Sequence, residues 1–225
     1  MAYSKTIFCL AASRKHGGYC FAGKDIETGE WIRPVSGRQS EEISDQESRR
    51  PNGTQAAVLD VLEVPMIRAK AHGYQKENHL IDPTRRWRRK RRGTWADVLQ
   101  NLDHHTGPLW HNQGASWGYG NNRVSEARAA RLDGSLLLIQ PERLQISVGR
   151  KGGMFAGADR RLVKGHFRYV GIDYTLQVTD PAIEDEMRGG EDRTVDMDGA
   201  VLCVSLGEVY YGYAYKLVAA VIMPT

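Results

Sequence analysis

From Ile7 to Val35 the chain alternates short apolar runs with glycine-bearing turns, a rhythm that admits little besides small antiparallel sheets. Ile7–Ala12, Tyr19–Ile26 and Trp31–Val35 are the runs; Gly17-Gly18 and Glu27-Thr28-Gly29-Glu30 separate them. Glycine supplies the positive φ that tight turns require, so the stretch predicts a three-strand meander. Its polar residues are of an unusual kind. Arg14, Lys15, His16, Lys24 and Arg33 are basic, and Tyr19, Phe21 and Trp31 lie among them. Basic groups interleaved with aromatic faces on a small sheet suit a chain of phosphates and bases.

The same punctuation continues. Glu41–Arg50 is polar and reads as a short helix ended by Pro51-Asn52-Gly53, and Ala57–Val64 reads as a strand stopped by Pro65. Residues 65–135 change character, becoming rich in Arg, His, Trp, Gly and Asn with few long apolar runs. Thr94-Trp95-Ala96-Asp97 resembles a capping box opening a helix over Trp95–Leu102, and Ser125–Leu132 reads as another short helix. Leu136–Ile139 and Leu144–Val148 are strands, Arg150–Lys164 a basic loop, and Phe167–Val170 with Tyr174–Val178 a hairpin. Asp180-Pro181 opens a helix that runs to about Arg188, with Asp as N-cap and Pro at the first helical position. Ala200–Leu206 and Tyr213–Met223 are the last strands.

Strand, strand, strand, helix, strand, strand is the element order of an OB-fold, a five-stranded Greek-key barrel. The first half is readable in the same order, with Leu136–Ile139 as the closing strand and 65–135 as a long, mostly irregular insertion. The expected architecture is mainly β: two OB-fold-like small barrels with a few short helices. The first covers 1–140 with the insertion 65–135, and the second covers 141–225. No residue-level repeat links the halves, so the duplication rests on element order.

Charge distribution says more than its total. Residues 85–92 read RRWRRKRR, seven cations around Trp87; taking those seven from the formal +4 leaves −3 for the remainder. Basic character is therefore local, as in an anion-binding patch. Hydrophobic residues make up 41% and charged residues 26%, a globular balance that excludes wholesale disorder. No apolar run approaches a membrane span, and the N-terminus lacks the apolar segment of a secretory signal, so no membrane partner and a cytoplasmic location are expected. Cys9, Cys20 and Cys203 match no zinc spacing and read as buried reduced thiols.

Three groups of candidate binding residues follow. Arg85, Arg86, Arg88, Arg89 and Arg91 can neutralise phosphates, and Trp87 could stack on a base; the bland alternative is a solvated loop. Arg14, Lys15 and His16 fall in the loop between strands one and two, a position OB-folds use for binding, with Lys24 and Arg33 on the adjoining strands. Trp31 is read as core and Arg33 as surface. Trp117, Tyr119, Asn122 and Arg123 form the third group, in a glycine-rich stretch where backbone could approach a ligand closely; their bland reading is a cover over the barrel. Asp103, His104, His105 and His111 have no metal-site spacing. Asp60 and Glu63 point to opposite faces of a strand and cannot share one metal. No P-loop, nucleophilic serine motif or dinucleotide fingerprint is present. The reading is of a chain with no assigned catalytic residue, metal site or cofactor.

IFCLAASRKHGGYCFAGKDIETGEWIRPVS near the start and AVLCVSLGEVYYGYAYKLVAAVI near the end resemble the bacterial dual OB-containing domain family, as do QKENHLID, Asn121–Val124 and VTDPAI between them. The resemblance implies two OB barrels and a non-catalytic, nucleic-acid-binding role, with sensing of foreign nucleic acid in prokaryotic defence. The expected partner is nucleic acid, single strands before duplex, with a protein partner from a defence system among those implied. RRWRRKRR departs from the family pattern. Two alternatives stand beside this reading. One is a metal-dependent enzyme of nucleic acid or nucleotides centred on Asp103, His104 and His105. The other is a protein-binding scaffold of a defence complex.

Overall fold

The computed structural model describes residues 3–15, 17–48, 52–112, 121–150 and 161–224. They are mainly strand, in two compact units. The first unit is built from the chain up to Leu102 together with Leu132–Leu136; the second comprises Asp103–Arg131 and Leu137–Pro224. The single boundary expected near residue 140 is thereby replaced by an exchange of segments.

The first unit opens with the expected meander: β1 (Tyr3–Lys15), β2 (Gly18–Asp25) and β3 (Trp31–Val35). After the short α1 (Asp45–Ser48) come β4 (Asp60–Ala69), β5 (Asn78–Ile81), β6 (Arg88–Arg92) and α2 (Trp95–Gln100). Hydrogen bonding runs β1-β2-β3-β5-β4, and β4 returns to β1, closing a five-stranded barrel. All pairs are antiparallel except β3 with β5, which run parallel with Arg33 opposite Asn78. Ile7, Cys9, Phe21, Ile32, Leu62, Val64, Met66, Ile81 and Trp87 fill the interior. At Gly23 a Cβ would stand 2.2 Å from the Phe8 carbonyl oxygen, so only glycine permits the close approach of β1 and β2 there.

Leu136–Ile139 was expected to close this barrel. The closing strand is instead β5, Asn78-His79-Leu80-Ile81, inside the stretch read as a mostly irregular insertion. Its four residues alternate too briefly to signal a strand on their own; pairing with β3 and β4 makes them one. Leu136–Ile139 is β8, at the end of the other sheet.

The second unit begins with β7 (Arg123–Ser125) and α3 (Glu126–Ala129), followed after β8 by β9 (Arg143–Arg150), β10 (Arg161–Tyr169), β11 (Ile172–Val178) and α4 (Pro181–Arg188). The last strands are β12 (Arg193–Asp196), β13 (Val201–Tyr210) and β14 (Tyr213–Ile222). The sheet runs β12-β9-β10-β11-β14-β13-β8, with β11 and β14 parallel and β7 added on β14. Strands β9, β10, β11, β13 and β14 repeat the order of β1 to β5. β12 and β13, consecutive in the chain, share the part of the fourth strand: one pairs with β9, the other with β14. Asp180 caps α4 as expected, its carboxylate accepting from the N–H groups of Ala182, Ile183 and, on β14, Val221.

Cys9 and Cys203 are buried and Cys20 is half-buried. Burial pushes the Cys9 thiol up to about 12, which leaves it protonated and unreactive at neutral pH.

Candidate nucleic-acid interface

Strand β6 carries the basic run. It lies on the outer edge of β4 as the last strand of the path, and all five of its residues, RRKRR, are exposed. Five adjacent cations form a strand because β4 offers them both a hydrogen-bonding edge and two carboxylates. Arg92 stands opposite Asp60, and Arg88 opposite Glu63, with a bulge between Val61 and Leu62. Asp60, only 1% exposed, pairs with Arg89 at 3.5 Å and Arg92 at 3.4 Å. Lys90 pairs with Glu63. Arg91 grips Asp97 with two bonds of 2.8 and 2.9 Å, and the same carboxylate completes the capping box with Thr94. Those bonds hold the Asp97 carboxyl far below the usual range. The Asp60-x-x-Glu63 pair, considered above as a metal motif, is thus the counter-charge of the basic strand.

Arg85 and Arg88 form no ion pair among the described residues, and Arg86 donates to the Gln46 carbonyl at 2.7 Å. Among the described residues the seven cations form ion pairs with Asp60, Glu63 and Asp97, which leaves the edge positive. Cationic side chains on an edge strand also repel edge-to-edge pairing with other chains; the two roles are compatible.

Trp87 requires a correction. It is 0% exposed, packed edge-on against Phe21 with ring centroids 5.2 Å apart. No base can stack on it. The sequence reading placed Trp87 against a base, but Trp87 sits just before β6 and turns into the barrel, where the largest apolar side chain of the segment gains most from burial.

Lys24 and Arg33 are corrected too: they are 7% and 4% exposed. Lys24 Nζ donates to the Asn101 carbonyl at 2.7 Å and lies 5.4 Å from the ring centre of the half-buried Trp31. Arg33 lies 3.2 Å from Glu77 and donates to Ser135 at 2.8 Å. Both side chains are taken up by the protein's own chain, through the Asn101 carbonyl and the Ser135 hydroxyl. Arg14 is exposed and Lys15 half-buried, and both end β1 in register with Tyr19 and Gly18 of β2. His16, Trp117 and Tyr119 lie outside the described residues.

Asn122 is half-buried. Arg123 stacks its guanidinium 4.1 Å from the Tyr213 ring centre. This leads to a group that the sequence reading missed. The hairpin between β13 and β14 turns at Tyr211 and Gly212, with φ of 49° and 75°, the two positive values of a tight hairpin turn. Tyr210 is 64% exposed, Tyr211 82% and Tyr213 37%. The signal was available as Tyr210-Tyr211-Gly212-Tyr213, three aromatics around one turn residue. In an OB barrel the loop between strands four and five is a ligand-contact position.

Around the proposed enzyme centre, Asp103 accepts from the Leu138 N–H at 2.7 Å and His105 bonds the Pro108 carbonyl at 2.8 Å. Among the described residues no group of three or more His, Cys, Asp or Glu could hold a metal ion. No described helix is long and apolar enough to cross a membrane.

The strand order and the parallel pairing of third and fifth strands define each unit as an OB-type module. The chain matches the dual OB-containing domain family over residues 5–221 and belongs to that family. No curated protein and no solved structure matches it.

Proposed function

We propose that this chain is a non-catalytic nucleic-acid-binding module, preferring single strands and sensing foreign nucleic acid in a prokaryotic defence system. The observation that carries the binding is the exposed cationic edge of β6, where cations outnumber their counter-charges. Arginine and lysine side chains there can displace the counterions condensed on a nucleic acid's phosphates, and the release of those ions favours binding. The tyrosines at the β13–β14 turn supply faces on which unpaired bases can stack, which favours single strands over duplex. The defence role, a defence-system protein partner and a cytoplasmic setting rest on the family resemblance.

The test is a titration of labelled single- and double-stranded DNA and RNA at several salt concentrations. Single strands should bind most tightly, with log affinity falling by roughly 0.7 per neutralised phosphate against log salt. Binding that ignores salt, or no binding, would point to a protein-binding scaffold. Metal-dependent cleavage lost on His104→Ala or His105→Ala would point to an enzyme.

A further inference from the structure

A cleft of about 360 Å³ opens on the first unit, walled by the start of β3, the β4–β5 connection and the segment around Gly134. That is the lower end of the range for small-molecule sites, enough for one nucleotide-sized ligand. Its lining is chemically mixed. Trp31 gives an aromatic wall, and Glu30, Lys76, Glu77, His79 and Asp133 bring polar groups. Glu77 is a built element: its side chain is 5% exposed, paired with Arg33 at 3.2 Å and hydrogen-bonded by Ser135. His79 is fixed by Tyr3 at 2.5 Å, and burial, with Lys5 nearby, lowers its pKa, so it is neutral at pH 7.

The other groups are uncommitted. Among the described residues the side chains of Lys76 and Asp133 make no hydrogen bond and no ion pair, and the Glu30 carboxylate is reached only by the Thr28 hydroxyl at 3.4 Å. A ligand complementary to this cleft needs a flat ring for Trp31, adjacent N–H donors for a carboxylate, and an anion for Lys76. Carboxylates are acceptor-only and bind best to two parallel donors. On its pairing edge guanine offers two neighbouring N–H donors. Adenine and cytosine set an amine beside a lone pair, and thymine and uracil set one N–H between two carbonyls, so a carboxylate meets repulsion on each.

We propose that this cleft takes one unstacked guanine nucleotide, its ring against Trp31, its donor edge on Asp133 or Glu30 and its phosphate on Lys76. This rests on the nucleic-acid reading above and gives that reading a base preference.

The test titrates the full chain with GMP, AMP, CMP and UMP, and with a thymidine decamer that does or does not contain one central guanosine. GMP should bind about tenfold or more tighter than the others, and the single guanine should tighten the decamer by a similar factor. The exposed pair Glu30→Gln with Asp133→Asn should abolish the preference at unchanged melting temperature. Lys76→Gln should weaken GMP while leaving guanosine unchanged. Equal binding of the four nucleotides, or a preference that survives the double substitution, overturns the proposal. Failure of salt-dependent decamer binding with GMP selectivity retained would refute the nucleic-acid reading and keep the cleft; the reverse result would do the opposite.

Discussion

Lys216 Nζ lies 3.3 Å from Asn121 Oδ1 in the interior of the second unit, and no carboxylate pairs with it among the described residues. The residue is 2% exposed, with the Tyr174 ring centre 5.4 Å away. Burial lowers its pKa from 10.5 to about 7, because removing an ammonium from water without a counter-charge disfavours the charged form. Below pH 7 both folded and unfolded chains hold the proton, and the fold carries the full cost of the buried cation. Between about pH 7 and 10.5 the unfolded chain binds a proton that the folded chain has released, so stability rises with pH. This one group contributes up to about 1.4 kcal/mol per pH unit in that window. Lys216→Met should therefore be more stable than the parent at pH 6, with the advantage shrinking towards pH 10. Denaturant titrations across that range measure it; a constant difference would rule out the ammonium as the cause.

The cations of the run 85–92 should separate into two kinds. Arg85 and Arg88 are in no ion pair among the described residues. Replacing both with Gln should leave the melting temperature unchanged and flatten the salt slope of single-strand binding by about 1.4, roughly 0.7 for each contact. Arg89→Gln with Arg92→Gln removes two arginines that pair with the buried Asp60. That double variant should lose about 1–3 kcal/mol of stability. Equal behaviour of the two double variants would show that the pairing on β4 has no energetic weight.

Trp87→Ala should act on folding. With the indole fully buried against Phe21, truncation should cost about 3–5 kcal/mol, read as a lower denaturation midpoint. Trp87→Phe, which keeps a ring in place, should cost less. Where the variants remain folded, their salt slope should match the parent's. An unchanged midpoint in Trp87→Ala would contradict the packing described.

The β13–β14 turn should respond in the opposite way. Tyr210 and Tyr211 are exposed, so Tyr211→Ala should change stability by no more than about 0.5 kcal/mol. If a base stacks there, binding of single strands should weaken by about 1–3 kcal/mol with the salt slope preserved. Fluorescence anisotropy at two salt concentrations distinguishes this from a lost phosphate contact.

Much of the fold was legible because its causes are local. Glycine at the turns, apolar runs between them, the Thr94–Asp97 capping box and the Asp180-Pro181 helix start all act within a few residues, and the structure contains each. The chain order β9, β10, β11, α4, β13, β14 followed from them, whereas β7, β12 and the place of β8 in the second sheet did not. What the tertiary structure alone decided depends on partners distant in sequence. Asn78–Ile81 is a strand because β3 and β4 flank it. Arg33 is buried because Glu77 and Ser135, 44 and 102 positions away, receive its charge and its hydrogen bond. Trp87 turns inward because Phe21 and the rest of the barrel interior accept it, while its basic neighbours find Asp60 and Glu63 on β4. Residue type sets what a side chain can do; whether it meets solvent, a counter-charge or the core is set by hydrogen-bonded pairing across the whole unit, and no local pattern carries that information.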